Sequence, residues 1–144
     1  MTHLDKGKYF QKHSNQAKVD DSLRQEIMQK AKENNIACAV AEEISQRKEM
    51  TLGEVGMAID LLNINLVECQ LGLFGYSPQK KIVQPAKEVV PVLKENILAA
   101  LDNSRLPCIA AWEIAGKLNI PRMKVSAACE ALQIKIKPCQ LGAF

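Results

Sequence analysis

The chain has 144 residues, of which 47% are hydrophobic but only 4% aromatic, so a core must be built mainly from aliphatic side chains. Nineteen Lys and Arg residues against sixteen Asp and Glu residues give a formal net charge of +3. The apolar runs are too short for a membrane span and the N-terminus lacks the apolar region of a signal peptide, so we expect a cytoplasmic protein.

An internal repeat organises the sequence. Residues 22–74 align without a gap with residues 92–144, and the match is clearest at the end of each copy, where Cys69-Gln70-Leu71-Gly72-Leu73-Phe74 corresponds to Cys139-Gln140-Leu141-Gly142-Ala143-Phe144. The matched positions are mostly apolar, as expected when two segments keep one core and let their surfaces diverge. We predict a flexible basic N-terminal arm at 1–20, domains at 21–76 and 92–144, and a Pro-containing linker at 77–91.

Within each copy the apolar spacing predicts three helices. In the second copy, helix two is expected at about Cys108–Leu118 and helix three at about Pro121–Leu132, with Asn119 in the turn between them. In the first copy, helix three is expected at Thr51–Leu62, with Thr51 or a neighbour as its N-cap. The alternation of Ile134-Lys135-Ile136-Lys137 then predicts a strand, with Ile64–Glu68 at the same place in the first copy, followed by a Gly-containing hairpin.

Three helices, a tight turn between the second and third, a strand and a hairpin follow one another in the order of a winged helix. Ala115, Asn119 and Val125 are residues of the kind that let two helices of a helix-turn-helix cross closely. The chain therefore resembles a tandem winged-helix repeat, mainly α with a small β part. In the first copy Lys48 and Glu49 stand at the places of Leu118 and Asn119, so its turn is expected to form differently.

Charge divides the copies. The first copy, with Asp20 and Asp21, is acidic, whereas the second copy, the linker and the arm are basic. The resemblance implies that helix three of the second copy is a recognition helix, and the following strand can supply phosphate contacts. The predicted nucleic-acid-binding residues are Arg122, Lys124, Ser126, Lys135 and Lys137. They predict a transcriptional regulator that binds double-stranded DNA.

The alternative is a non-catalytic interaction or adaptor module of two degenerate winged helices, with the first repeat available to a second copy or a protein partner. Glu54 and Asp60 in the first copy favour it, because a duplex would repel them. RNA is a lesser option, since no aromatic stacking platform is evident. No catalytic constellation or cofactor motif occurs in the sequence, so neither enzymatic activity nor a cofactor is expected.

Packing roles are predicted for the remaining conspicuous residues. The five cysteines are expected to be reduced, and small buried core positions suit them better than a shared metal site. Gly53 and Gly56 are expected to be close-packing points between helices, and Trp112 a packing residue. In the repeated Leu-Gly-x-Phe segment, Leu and Phe are expected to fold back onto the helices, which would bury Phe74 and Phe144.

Overall fold

The computed structural model describes residues 19–143, so the predicted arm at 1–20 lies almost wholly outside the described residues. Within this range the protein is mainly α-helical with a small two-stranded parallel sheet. It forms two compact units. Of the described residues, unit 1 contains 19–69 together with Gln140–Ala143, and unit 2 contains Gln70–Cys139. Each unit therefore includes the short terminal segment of the other sequence copy.

Unit 1 begins with helix α1 at Asp21–Lys30 and strand β1 at Asn35–Ala37, followed by α2 at Cys38–Lys48, α3 at Leu52–Leu61 and β2 at Asn65–Val67. Side chains cap two of the helices. Asp20 accepts a hydrogen bond from the Leu23 amide, and Thr51 accepts one from the Glu54 amide, each at 3.1 Å. These caps satisfy amides that have no partner within their own helix, and the predicted Thr51 cap is confirmed.

Unit 2 contains helices α4 at Pro91–Ala99, α5 at Cys108–Leu118 and α6 at Arg122–Ala131. Their core-facing residues follow the helical period, and Leu93, Ile97, Ala111 and Val125 are at most 4% exposed. The six helices of the described range thus lie where the apolar pattern of the repeat predicts them.

The sheet differs from the prediction. Strand β1 pairs in parallel with β2, and Ile36 lies opposite Leu66. In unit 2 the same pairing is reduced to one parallel bridge between Leu106 and Ile136, so the predicted strand at 134–137 is only partly formed. Within residues 19–143 the only named strands are β1 and β2, and after β2 an antiparallel bridge joins Tyr76 and Lys80, so a tandem winged-helix repeat is not confirmed.

A tight turn before the second helix explains the parallel pairing. Glu33 and Asn34 both have positive φ, at 51° and 65°, and Asn103 and Ser104 repeat this at 54° and 65°. Two successive left-handed residues form a tight turn, which closes the antiparallel bridges Lys32–Asn35 and Asp102–Arg105. The segment after the turn lies beside the segment that follows the third helix of the same unit.

The turns between the second and third helices are alike in the two units, contrary to expectation. Glu49 has φ 54° and ψ 43°, and Asn119 has φ 56° and ψ 49°. The next amide closes the helix end in both, from Met50 to the Ser45 carbonyl and from Ile120 to the Ala115 carbonyl, at 3.0 Å each. Because backbone hydrogen bonds of the helix end define this turn, Glu49 adopts the left-handed conformation despite its Cβ.

Replacing Glu49 by glycine is expected to raise the free energy of unfolding by about 1 kcal/mol, because glycine occupies the left-handed region without steric cost. Chemical denaturation followed by circular dichroism measures the change. The control is Glu43→Gly at an exposed position inside α2, which is expected to lower stability by about 1 kcal/mol. A destabilising Glu49→Gly would show that the carboxylate, rather than the backbone, determines this turn.

The terminal segments pack through their leucines. Leu71 is 0% exposed and Leu141 is 5% exposed, and the following Gly72 and Gly142 have positive φ of 73° and 84°. Phe74 is only half-buried, so its predicted burial is wrong, and Phe144 lies outside the described residues. The leucine fills the core while the glycine turns the chain sharply, which leaves Phe74 near the surface.

Candidate nucleic-acid interface

The two units have opposite charge. Residues 19–69 contain ten Asp and Glu against five Lys and Arg, whereas residues 70–139 contain five Asp and Glu against ten Lys and Arg. A polyanion is attracted to unit 2 and repelled by unit 1. All five predicted site residues lie in unit 2.

Helices α5 and α6 supply the framework of the predicted site. They are joined by Asn119, Ile120 and Pro121, a connection of the length found in helix-turn-helix pairs, and are compatible with that motif. Lys124 is exposed in the first turn of α6. Lys135 and Lys137 are also exposed, on either side of the buried Ile136 that bridges to Leu106.

Ser126 cannot contact a ligand in this structure, and its prediction as a binding residue is wrong. It is 0% exposed, and its hydroxyl has no hydrogen-bond partner among the described residues. Ser126 follows Val125 on the stripe of α6 that faces the core, together with Cys129. Its distance from the start of α6 suits a recognition position, but the helical period places it on the buried face.

Arg122 is held within unit 2. Its guanidinium stacks on the Trp112 ring, with Cζ 3.8 Å from the ring centroid, and donates a hydrogen bond of 3.0 Å to the Gln70 side-chain oxygen. A planar guanidinium suits both contacts at once. Trp112 is half-buried and packs against Arg122 at the start of α6, and Arg122 is itself half-buried.

Met123, Ala127 and Glu130, which we call the outer face of α6, pack against a segment that we call the strap, residues 72–86, whereas Lys124 and Ala131 of the same helix are exposed. Lys81 forms an ion pair with Glu130, and the Ala86 amide donates to the Ala127 carbonyl at 3.0 Å. At the strap's start, a Cβ added to Gly72 would lie 3.1 Å from the Met123 methyl carbon and 3.2 Å from Cβ of Val83. Positions 123, 127 and 130 lie on one helix face, so the strap follows that face over its length.

Strap contacts were missed by sequence reasoning, which treated this segment as a linker. Val83 is 5% exposed, an unusual burial for a residue of a Pro-containing connection. The signal in the sequence was the pair Ile82-Val83 between the lysines and Pro85. Lys124 on α6 and the two lysines beside Ile136 are exposed.

Other chemistry is sparse in the described part of the chain. Cys38, Cys69, Cys108 and Cys129 are buried and Cys139 is half-buried, all as free thiols. Burial, and secondarily the Glu130 carboxylate, raises the pKa of the Cys129 thiol to about 12, so this thiol is protonated and unreactive at neutral pH. Across residues 19–143, His, Cys, Asp and Glu side chains form no group of three that could hold a metal ion.

An open hollow between α1 and α2 of unit 1 has mixed charge. Arg47 and Lys48 both face Glu26 there, and Arg47 forms the closer ion pair. These ion pairs bring the positive charges of Arg47 and Lys48 next to the negative charge of Glu26, so the electrostatic potential of the hollow is not strongly positive or negative. We take the exposed lysines of unit 2 at the predicted positions, Lys124, Lys135 and Lys137, as the candidate site.

The sequence matches no known protein-family model, and neither a curated protein nor a solved structure is significantly similar to it. Among the described helices, none is sufficiently long and apolar to cross a membrane.

Proposed function

We propose that the protein binds double-stranded DNA through unit 2, in the manner of a transcriptional regulator, and that Lys124, Lys135 and Lys137 contact phosphates. The observation that carries the proposal is the excess of basic residues on the unit whose α5 and α6 are compatible with a helix-turn-helix. Unit 1 has similar helices but an acidic surface, and is assigned no DNA contact. Arg122 has a supporting role, since Gln70 and Trp112 hold it at the start of α6.

The chemistry of the site favours phosphate contacts over base readout. Lysine is a flexible point charge that reaches phosphate oxygens without needing a fixed geometry. Base readout needs side chains that project from the outer face of a recognition helix, and in α6 the strap covers positions 123, 127 and 130. Binding in this state is therefore expected to be salt-dependent and only weakly dependent on sequence.

Replacing Lys124, Lys135 and Lys137 together by alanine is expected to weaken duplex binding about tenfold or more and to reduce the salt slope by roughly 2–3, because each lost phosphate contact releases about one counterion fewer. Fluorescence anisotropy with a labelled random-sequence duplex, over a range of salt concentrations, measures both quantities. Circular dichroism checks that the variant is folded.

The matched control replaces Arg24, Lys30 and Lys32 of unit 1 by alanine, which changes the net charge of the chain equally. This variant is expected to bind the duplex no more weakly than the unaltered chain, since the acidic unit makes no phosphate contacts in the proposal. If both triple variants lose the same affinity for the duplex, binding depends only on the net charge of the chain, and the proposed site is wrong.

The second candidate function is a protein-interaction module, and the strap is the observation that favours it. A helix whose outer face is already packed against its own chain is unlike a helix prepared for the major groove. This function predicts no salt-sensitive binding of duplex DNA or single-stranded RNA at low ionic strength. The anisotropy measurement with both nucleic acids therefore separates the two functions.

A further inference from the structure

We propose that the strap, residues 72–86, is an autoinhibitory element that keeps the outer face of α6 out of the major groove until the strap is displaced. The inference rests on the proposed function, because it concerns the same site. In the intact chain, DNA binding is weak and depends on phosphate contacts, because the strap masks a tighter binding mode.

The dimensions of the groove support masking. A helix with its side chains is about 10–12 Å across, and the major groove of B-DNA is about 12 Å wide. The groove therefore has no space for α6 together with a second chain segment on the face that would meet the base edges. Met123, Ala127 and Glu130 line that face, and the strap touches or bonds to it near all three.

Contacts of the strap with α6 can be removed by single substitutions. They include the Lys81–Glu130 ion pair, the Ala86–Ala127 hydrogen bond and the burial beside Met123. Its start is closed by the Gly72 carbonyl, which accepts from the Ile82 and Val83 amides at 2.9 and 3.1 Å. Val83 is the buried anchor, at 5% exposure, so it is the position at which a single substitution should detach the segment.

Displacement would also change the charge that faces the DNA. In the attached state Lys81 is paired with Glu130. Once released, Lys81 can join the exposed Lys80 as an additional phosphate contact on a flexible segment. Displacement of the strap therefore makes both the outer face of α6 and additional cations accessible to DNA, and both changes strengthen binding.

The test compares Val83→Asp with Val90→Asp by fluorescence anisotropy on a random-sequence duplex. Both variants place the same charge in the same connection, but Val90 is 56% exposed whereas Val83 is buried. Val83→Asp is expected to bind about tenfold or more tightly than Val90→Asp, because apparent affinity rises with the fraction of unmasked molecules. Faster exchange of the Ala86 amide, which donates to Ala127, should accompany this gain.

A second pair of variants keeps the inference testable if Val83→Asp does not fold. Glu130→Gln removes the partner of Lys81, and Glu113→Gln makes the same charge change at an exposed position of α5. Glu130→Gln is expected to increase affinity several-fold more than Glu113→Gln does.

The outcomes distinguish this inference from the proposed function. If Val83→Asp, Val90→Asp and the unaltered chain bind equally, and the triple lysine variant binds more weakly, the masking is refuted while the DNA-binding site stands. If a folded Val83→Asp and the unaltered chain both fail to bind duplex at low ionic strength, the proposed function fails and the masking fails with it.

Discussion

Replacing Leu71 by alanine is expected to lower the free energy of unfolding of unit 2 by about 2–5 kcal/mol, as the loss of a fully buried leucine leaves a cavity. Leu71 is 0% exposed, and it belongs to unit 2 although its sequence copy otherwise forms unit 1. Trp112, the only tryptophan, lies in the same unit, so its fluorescence during urea denaturation reports the relevant transition.

The control for this prediction is Leu73→Ala, two residues along at a half-buried position. It is expected to cost less than about 1.5 kcal/mol, because a partly exposed side chain leaves a smaller cavity. If the urea midpoint of the Trp112 fluorescence transition is the same in Leu71→Ala as in Leu73→Ala, the assignment of the Gln70-Leu71 segment to unit 2 is wrong.

Replacing Gly56 by alanine is expected to lower the free energy of unfolding by about 1–3 kcal/mol, although alanine is the better helix former. An added Cβ would lie 2.7 Å from the Leu141 carbonyl carbon and closer still to its oxygen. The obstacle is backbone rather than a flexible side chain, so α3 and the Gln140–Ala143 segment must separate. Thermal denaturation followed by circular dichroism measures the loss.

Gly53 on the same helix is the matched control. A Cβ there would meet only the Thr51 hydroxyl oxygen, at 3.8 Å, so Gly53→Ala is expected to stabilise the protein by about 0.5–1 kcal/mol. Gly56 is thus a close-packing point as predicted, although its neighbour is the terminal segment, whereas Gly53 is not. If both substitutions raised the melting temperature, unit 1 could not contain Gln140–Ala143 in the arrangement described.

Helix positions could be predicted from the sequence because they depend on local information. The apolar spacing around Ile114 and Leu118 and the Asn119-Ile120-Pro121 stop signal gave α5 at its observed limits. Strand β1 was not predicted, because three residues are too few to show an alternation of apolar and polar side chains. Its partner strand is also distant in the sequence, since Asn35 pairs with Asn65, thirty positions later. The parallel pairing of β1 with β2 was not predictable for the same reason, because strand pairing is decided by tertiary contacts.

The candidate site was only partly predictable. Lys124, Lys135 and Lys137 are exposed, whereas Ser126 is buried and Arg122 is engaged with Trp112. The burial of Ser126 follows from the helical period, and Gly56 at the matching position of the first copy is a second sign that this position needs a small residue. The apolar pair Ile82-Val83 indicates burial within the connection, but it does not identify α6 as the partner, because the strap's contacts join segments that are distant along the chain.

The proposed DNA-binding site is tested most directly by titrating the isotope-labelled chain with a random-sequence duplex at low ionic strength and following backbone amide shifts residue by residue. We expect the largest shifts at Lys124 and around Lys135–Lys137, a progressive loss of these shifts as salt is added, and little change in α1 to α3. The absence of shifts at a duplex excess, or shifts concentrated in the acidic unit 1, would contradict the proposal.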